Sequence, residues 1–198
     1  MTNERSDGNH IKVSAVLLAA GLSKRMGTDK LLLEFNGKSF LRHSVDLLYG
    51  LPVFQRIIVT SAARSDQIDI LPDKGLFINS GPEEGLAGSV RIGVEAATGT
   101  HFLFLTADQP KLTPGDILPL LEAAGSYPDK IIHPVIDSKP SSPTLFPERF
   151  RMQLLSLSGD NGGRSVRDGN KKHCLAIEPE FPGNFKDIDV VEDYNDLF

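Results

Sequence analysis

Between residues 21 and 30 the chain reads GLSKRMGTDK, which crowds Gly21, Ser23, Gly27 and the cations Lys24, Arg25 and Lys30 into one short stretch. Small residues let backbone N–H groups come close to an oxyanion. An arginine can grip two phosphate oxygens at once, and a lysine adds a point charge. The stretch could cradle a polyphosphate; the same composition also suits an ordinary solvated turn. It is not a dinucleotide fingerprint, since G-x-G-x-x-G is absent. Nor is NGKS at 36–39 the end of a P-loop, because position 32 is leucine where that motif needs glycine. Asp108, in TADQP, could hold a hard cation such as Mg2+ against a triphosphate, or serve as a helix cap or loop hydrogen-bond acceptor. Asp187 and Asp189, in FKDIDVVED, fall on one face if that piece is extended, and one of them could complete a two-carboxylate site. The loop SGPEEGLAGS at 80–89, with Gly85 inside it and Ser89 opening a helix, could lie flat against a nucleobase or merely connect two elements.

These residues need a frame. VSAVLLAA (13–20), RIIVTS (56–61), GLFINS (75–80) and HFLFLTAD (101–108) are short apolar runs ended by small or polar residues. Continuous apolar runs suit parallel strands covered on both faces. FNGKSF reads as a hairpin turn leading into a helix. Helices are expected over 39–50, from Ser89 to 99, and over 113–125, the last with Thr113 as N-cap, Pro114 in the first turn and a kink or early break at Pro119. In the second half, 130–136, 143–147 and 172–178 read as strands, 148–157 and 191–198 as helices, and 158–165 as a loop. Strand–helix alternation predicts an α/β, doubly wound sheet with its site at the carboxyl ends of the strands.

The chain has 198 residues, 40% of them hydrophobic, a size that suits one sizeable domain over 11–198 behind a polar, disordered tail at 1–10. That tail lacks the apolar stretch of a secretory signal, and no apolar run approaches membrane-spanning length, so a soluble cytoplasmic protein is expected. A net charge of -5 disfavours nucleic acid as partner. The single cysteine, Cys174, excludes an internal disulfide and reads as a buried structural thiol. His133 reads as structural rather than as an acceptor contact.

Together the motifs resemble the nucleotidyltransferases of molybdenum-cofactor synthesis, and in particular the MocA-like cytidylyltransferases of the MobA-related family. LAAGLSKRMGTDKLLL resembles the signature LAAGxSxRMGxxKxLL, with LAAG rather than LAGG similar to members that use CTP. GLAGSVRIGVEAA resembles the base-holding segment, TADQP the metal-aspartate motif, LSGDNGGRSV the GDxGAR loop and DIDVVEDYNDL the DIDTPEDL ending. The matches run in family order from about residue 12 to the C-terminus. The departures are Ser142 where a GHP-type turn carries histidine, near the acceptor side, and Val190-Val191 in place of Thr-Pro.

The resemblance implies a three-layer α/β/α, Rossmann-like nucleotidyltransferase fold with a mostly parallel sheet. It implies transfer of CMP from CTP to the phosphate of a molybdopterin-type cofactor, releasing pyrophosphate. Gly21, Ser23 and Gly27 would form the backbone cradle. Arg25 and Lys30 would bind the triphosphate, with Arg25 stabilising the transition state. Asp108 and Asp189, with Asp187, would hold Mg2+, and Ala19, Ala20, Gly85 and Ser89 would lie around the cytosine. A molybdenum hydroxylase is the implied recipient of the product. The competing readings are the same chemistry on methylerythritol phosphate or a phosphosugar, and a non-catalytic cofactor carrier.

Overall fold

The computed structural model describes residues 11–21, 29–68 and 75–198. The expected tail at 1–10 and the candidate residues Ser23, Arg25 and Gly27 lie outside the described residues. The strands are β1 (Val13–Ala19), β2 (Glu34–Phe35), β3 (Lys38–Ser39), β4 (Gln55–Thr60), β5 (Leu76–Ile78), β6 (His101–Thr106), β7 (Ile131–Ile136), β8 (Lys139–Pro140), β9 (Thr144–Pro147) and β10 (Cys174–Ile177). The helices are α1 (Phe40–Gly50), α2 (Ala62–Ser65), α3 (Leu86–Ala96), α4 (Pro114–Ser126), α5 (Arg151–Leu155), α6 (Gly163–Gly169) and α7 (Val191–Asn195).

The main sheet has the order β10-β7-β9-β6-β1-β4-β5, with β8 pairing on β7. β5, β4, β1 and β6 are mutually parallel, as are β7 and β10. β9 runs antiparallel to both β6 and β7. The apolar run of β1 is explained by its two covered faces. Ala15, Leu17 and Ala19 enter one core with Leu41, Val45, Leu48, Ile117 and Leu120 from α1 and α4. Val16 and Leu18 enter the other, with Val90 and Val94 of α3, Leu154 of α5 and Val166 of α6. Side chains alternate across a strand, so a helix layer on each side demands apolar residues at every position. The result is the three-layer α/β/α arrangement with a mostly parallel sheet. No helix among the described residues is long and apolar enough to cross a membrane.

Local sequence accounts for several boundaries. Asn36 and Gly37 have φ values of 50° and 75°, the backbone of a tight hairpin turn between β2 and β3. Ser39 caps α1, its hydroxyl accepting from the Arg42 amide at 3.2 Å. Thr113 and Asp116 form a capping box on α4.

Other expectations are corrected. α4 passes through Pro119 without ending, because the ring removes only one hydrogen bond while Ile117, Leu120 and Ala124 are fully packed. α3 begins at Leu86 rather than Ser89, drawn forward by the Ala87 amide, which donates to the Gly159 carbonyl at 3.1 Å. The expected helix over 148–157 is a 3-10 turn at Glu148–Phe150 followed by the short α5. The expected loop at 158–165 runs into α6, whose start is set by close packing: a Cβ at Gly162 or Gly163 would lie 2.5 Å from Leu86 Cδ2 or 2.9 Å from Phe146 Cε2. No strand forms at 186–190.

Gly93 shows how tightly α3 seats on β1, since a Cβ there would lie 2.5 Å from Val16 Cγ1. Val16 is itself fully buried and stiff. Gly93→Ala is expected to cost about 1–3 kcal/mol in urea unfolding. Gly125→Ala, at a helical glycine with nothing nearby, is expected to add about 0.5–1 kcal/mol. Equal effects at the two positions would contradict this packing.

Candidate active site

Strand order places the candidate residues together. β1 lies between β4 and β6, and from it the chain is laid outward in both directions, a topological switch point at whose carboxyl edge ligands bind in such sheets. Leu18 pairs with Thr106, so the segment leaving β1 and the Ala107-Asp108 turn leaving β6 emerge side by side.

Lys30 occupies the first position of a 3-10 turn at Lys30–Leu32. Asp29 caps that turn, its Oδ1 accepting from the Leu31 amide at 3.2 Å, and the buried Leu31 anchors it to the core. The Lys30 ammonium donates to Asp108 Oδ2 and to Asp189 Oδ1, both at 2.9 Å, and to the Ile188 carbonyl at 3.2 Å. Residues 78 and 159 positions away in sequence thus meet on one nitrogen. The Asp189 segment is docked rather than strand-paired. The Ile188 amide donates to the Asp108 carbonyl at 2.9 Å, and its side chain is fully buried. Asp193, near the start of α7, accepts from the amides of Asp189 and Val190 at 3.1 and 3.2 Å. Asp187 and Asp189 flank the buried Ile188, so the expected shared face survives without a sheet, and both line the same cavity.

The electrostatics follow from this crowding. Burial disfavours the Lys30 ammonium, but the carboxylates of Asp108 and Asp189 outweigh it and raise Lys30 above the ordinary lysine value. Asp187 is pushed up to about 7, first by the loss of solvent around it and then by the negative charges of Asp108 and Asp189. Three side-chain atoms at this edge are buried without a hydrogen-bond partner among the described residues: Thr106 Oγ1, Asp108 Oδ1 and Gln109 Oε1. A buried oxygen without a donor marks a place for a ligand or ion. Asp108 Oδ1, with the neighbouring carboxylates, is an all-oxygen donor set of the kind a hard cation takes together with phosphate oxygens and water. Among the described residues, no group of three or more His, Cys, Asp or Glu side chains forms a ready-made metal cage.

The cavity has a volume of about 570 Å³ and runs from Leu18 and Thr106 past Lys139–Ser142 to Gly162, Arg164 and Arg167, with Asp187 and Asp189 on its wall. It is large enough for a small-molecule ligand. Lys139 and Arg164 are exposed cations on it, whereas Arg167 is buried and paired with Asp168 at 2.9 Å. Ala19, Ala20, Gly85 and Ser89 do not line it, although their chain neighbours Leu18 and Leu86 do. Ala19 and Ala20 are buried and Gly21 is exposed. Ser89 is buried too, accepting from Asn79 Nδ2 at 3.0 Å, while Asn79 Oδ1 receives the Gly81 amide at 3.0 Å. Gly85 has φ 84°, and a Cβ there would collide with Asp160 Oδ1 and the Gly159 backbone. The 80–89 segment is therefore seated directly on the 158–165 loop.

His133 is buried and hydrogen-bonded through Nδ1 to the Pro134 carbonyl at 3.0 Å; burial holds its pKa below the ordinary value. It does not line the cavity. Cys174 is half-buried rather than fully buried, with its thiol pushed up by desolvation. Asn79, Lys139, Arg164 and Asp193 were not anticipated. Their signals were faint, a polar residue directly after a strand and acidic residues in a terminal turn, and local pattern does not separate these from solvated loops.

Residues 15–174 match the MobA-like NTP transferase domain. A probable molybdenum cofactor guanylyltransferase of Rhodopirellula baltica is 37% identical over 123 residues, 59% of this chain and 58% of that protein, under two thirds of its length. A molybdenum cofactor guanylyltransferase of Rhizobium johnstonii is 28% identical over 178 residues, 89% of this chain and 81% of that one. Both carry guanylyl names, whereas the motif spelling pointed to the cytidylyl branch. A nucleotidyl transferase structure from Methanothermobacter superposes with a TM-score of 0.77 at 22% identity, covering 94% of this chain and 95% of that one; at this identity it bears on the fold alone. With the match spanning most of its length, the chain belongs to the MobA-like NTP transferase domain family.

Proposed function

We propose that the protein transfers a nucleoside monophosphate from a nucleoside triphosphate to the phosphate of a molybdopterin-type acceptor, with CTP as donor and Mg2+ as metal. The observation that carries this reading is Lys30 held between Asp108 and Asp189 beside a cavity of about 570 Å³. An acceptor phosphate oxygen attacks the α-phosphorus, the bond from that phosphorus to the bridging oxygen breaks, and pyrophosphate leaves. Such a reaction demands in-line placement of two anions and neutralisation of the spreading charge; it needs no covalent nucleophile. Lys30 supplies a fixed cation, and Arg25 is assigned a second by its motif. Asp108 and Asp189, with Asp187, would hold Mg2+, which when bound adds positive charge and orients phosphate oxygens. Lys139 and Arg164, exposed on the same cavity, are assigned to the acceptor phosphate. The CTP assignment rests on the LAAG and TADQP spellings. GTP is the second reading, favoured by the guanylyl names of both relatives.

Purified protein with Mg2+, molybdenum cofactor and either CTP or GTP should release pyrophosphate and form a dinucleotide faster with CTP. Preference for GTP would reassign the base, and no turnover beside a working control enzyme would favour a carrier. Arg25→Ala and Asp108→Ala should each remove most turnover in a folded protein; near-normal rates would take that residue out of the site.

Lys30→Met tests through stability whether the carboxylates are poised for a cation. Removing the shared ammonium leaves carboxylates facing each other, at a cost of roughly 1–3 kcal/mol, less than for a fully buried pair because Asp189 is partly exposed. A carboxyl raised to about 7 in the folded state, as at Asp187, binds its proton more tightly there than when unfolded. The deficit should therefore be greatest above pH 7 and shrink on acidification. Added Mg2+ should raise the variant's Tm. A Tm deficit independent of both pH and Mg2+ would argue against carboxylates poised for a cation.

A further inference from the structure

Among the described residues, Arg64 is tied both to the end of β1 and to the residue before Lys30, and no motif in the sequence points to it. It sits in α2, just after β4, and is only 5% exposed. A buried guanidinium is costly unless its donors and charge are satisfied. Here they are. Nε and Nη2 grip Asp29 in a two-pronged pair at 2.5 and 2.9 Å. Nη1 donates to the Ala19 carbonyl at 3.0 Å, and Nη2 also donates to the Gly21 carbonyl at 2.7 Å. One side chain thus joins the end of β1 to the residue immediately before Lys30.

The connection continues beyond Asp29. Its Oδ1, held by Arg64, also accepts from the Leu31 amide and caps the turn on which Lys30 stands. Lys30 then reaches Asp108 and Asp189. The guanidinium is committed to a carboxylate and two carbonyls, a geometry that a planar fork fills and an ammonium does not.

We propose that Arg64 is a positioning residue for nucleotidyl transfer: by clamping Asp29 to the carbonyls of Ala19 and Gly21, it sets where Lys30 stands relative to Asp108 and Asp189. This rests on the activity proposed above. Arg64 does not touch the reacting atoms; it acts through Asp29 and the turn. Displacements of about 1 Å in such a site are enough to cost on the order of 100-fold in rate.

The test uses Arg64→Lys, and Asp29→Asn as a milder variant should the first fail to fold, each checked by circular dichroism and thermal melting. With whichever nucleotide the wild type uses, kcat should fall about 10- to 100-fold while KM for the acceptor stays within about twofold. The two changes combined should cost little more than either alone, as for members of one unit. A second readout needs no turnover. Competitive acetylation with acetic anhydride, read by mass spectrometry, should label Lys30 several-fold faster in the variants than in wild type, with exposed Lys12 as internal standard. A folded Arg64→Lys with kcat within about twofold of wild type, or with unchanged Lys30 labelling, overturns the proposal. If the wild type transfers no nucleotide at all, the activity reading fails, and labelling alone decides whether Arg64 sets Lys30.

Discussion

Two aspartates at the end of a sheet repel each other, and at about 4 Å separation the cost reaches roughly 4 kcal/mol in a partly shielded protein setting. Among the described residues, the Lys30 ammonium answers this. Lys30 bonds Asp108, Asp189 and the Ile188 carbonyl, and the Ile188 amide bonds the Asp108 carbonyl, so the 188–189 segment is held beside the turn that leaves β6. Without the ammonium, the two carboxylates, still brought together by the docking of Ile188, would face each other uncompensated. The same arrangement that stabilises the fold keeps the carboxylates clustered and leaves one buried oxygen of Asp108 without a partner among the described residues.

The sheet makes that contact possible. β1 is buried on both faces, so its alternation feeds two cores, one under α1 and α4 and the other under α3, α5 and α6. A strand so constrained has little freedom at its carboxyl end, and its neighbour β6 delivers Asp108 in fixed register. Antiparallel β9, wedged between β6 and β7, brings Ser142 and Thr144 to the cavity from the opposite direction.

Much of this could be read from residue order. The runs 13–20, 56–61 and 101–108 became strands because a doubly covered sheet tolerates nothing else. The hairpin at Asn36-Gly37 and the cap at Thr113 are local chemistry, and local chemistry is visible in a single chain. Lys30, Asp108 and Asp189 were legible as candidates because each lies in a short motif, the small and cationic 21–30 stretch, TADQP and DIDVVED, whose order along the chain resembles the family's. What stayed hidden depends on tertiary contact. The early start of α3 needs the Gly159 carbonyl, and α6 needs two glycines packed against Leu86 and Phe146. Arg64 sits in an unremarkable AARS turn, and only the fold reveals that it faces Asp29. The absence of a strand at 186–190 has the same origin: Ile188 gives its amide to Asp108 instead of to a ladder.

Gly85 has consequences for how such a site can change. It rests on Asp160 and Gly159 with no room for a side chain, and the adjoining Ala87 amide is bonded to the Gly159 carbonyl. The 80–89 segment and the 158–162 loop are therefore one packed unit. A side chain at position 85 would have to displace residues 159 and 160, so a change in one segment is felt directly in the other. Two stretches more than seventy residues apart in sequence therefore move, if at all, as one body.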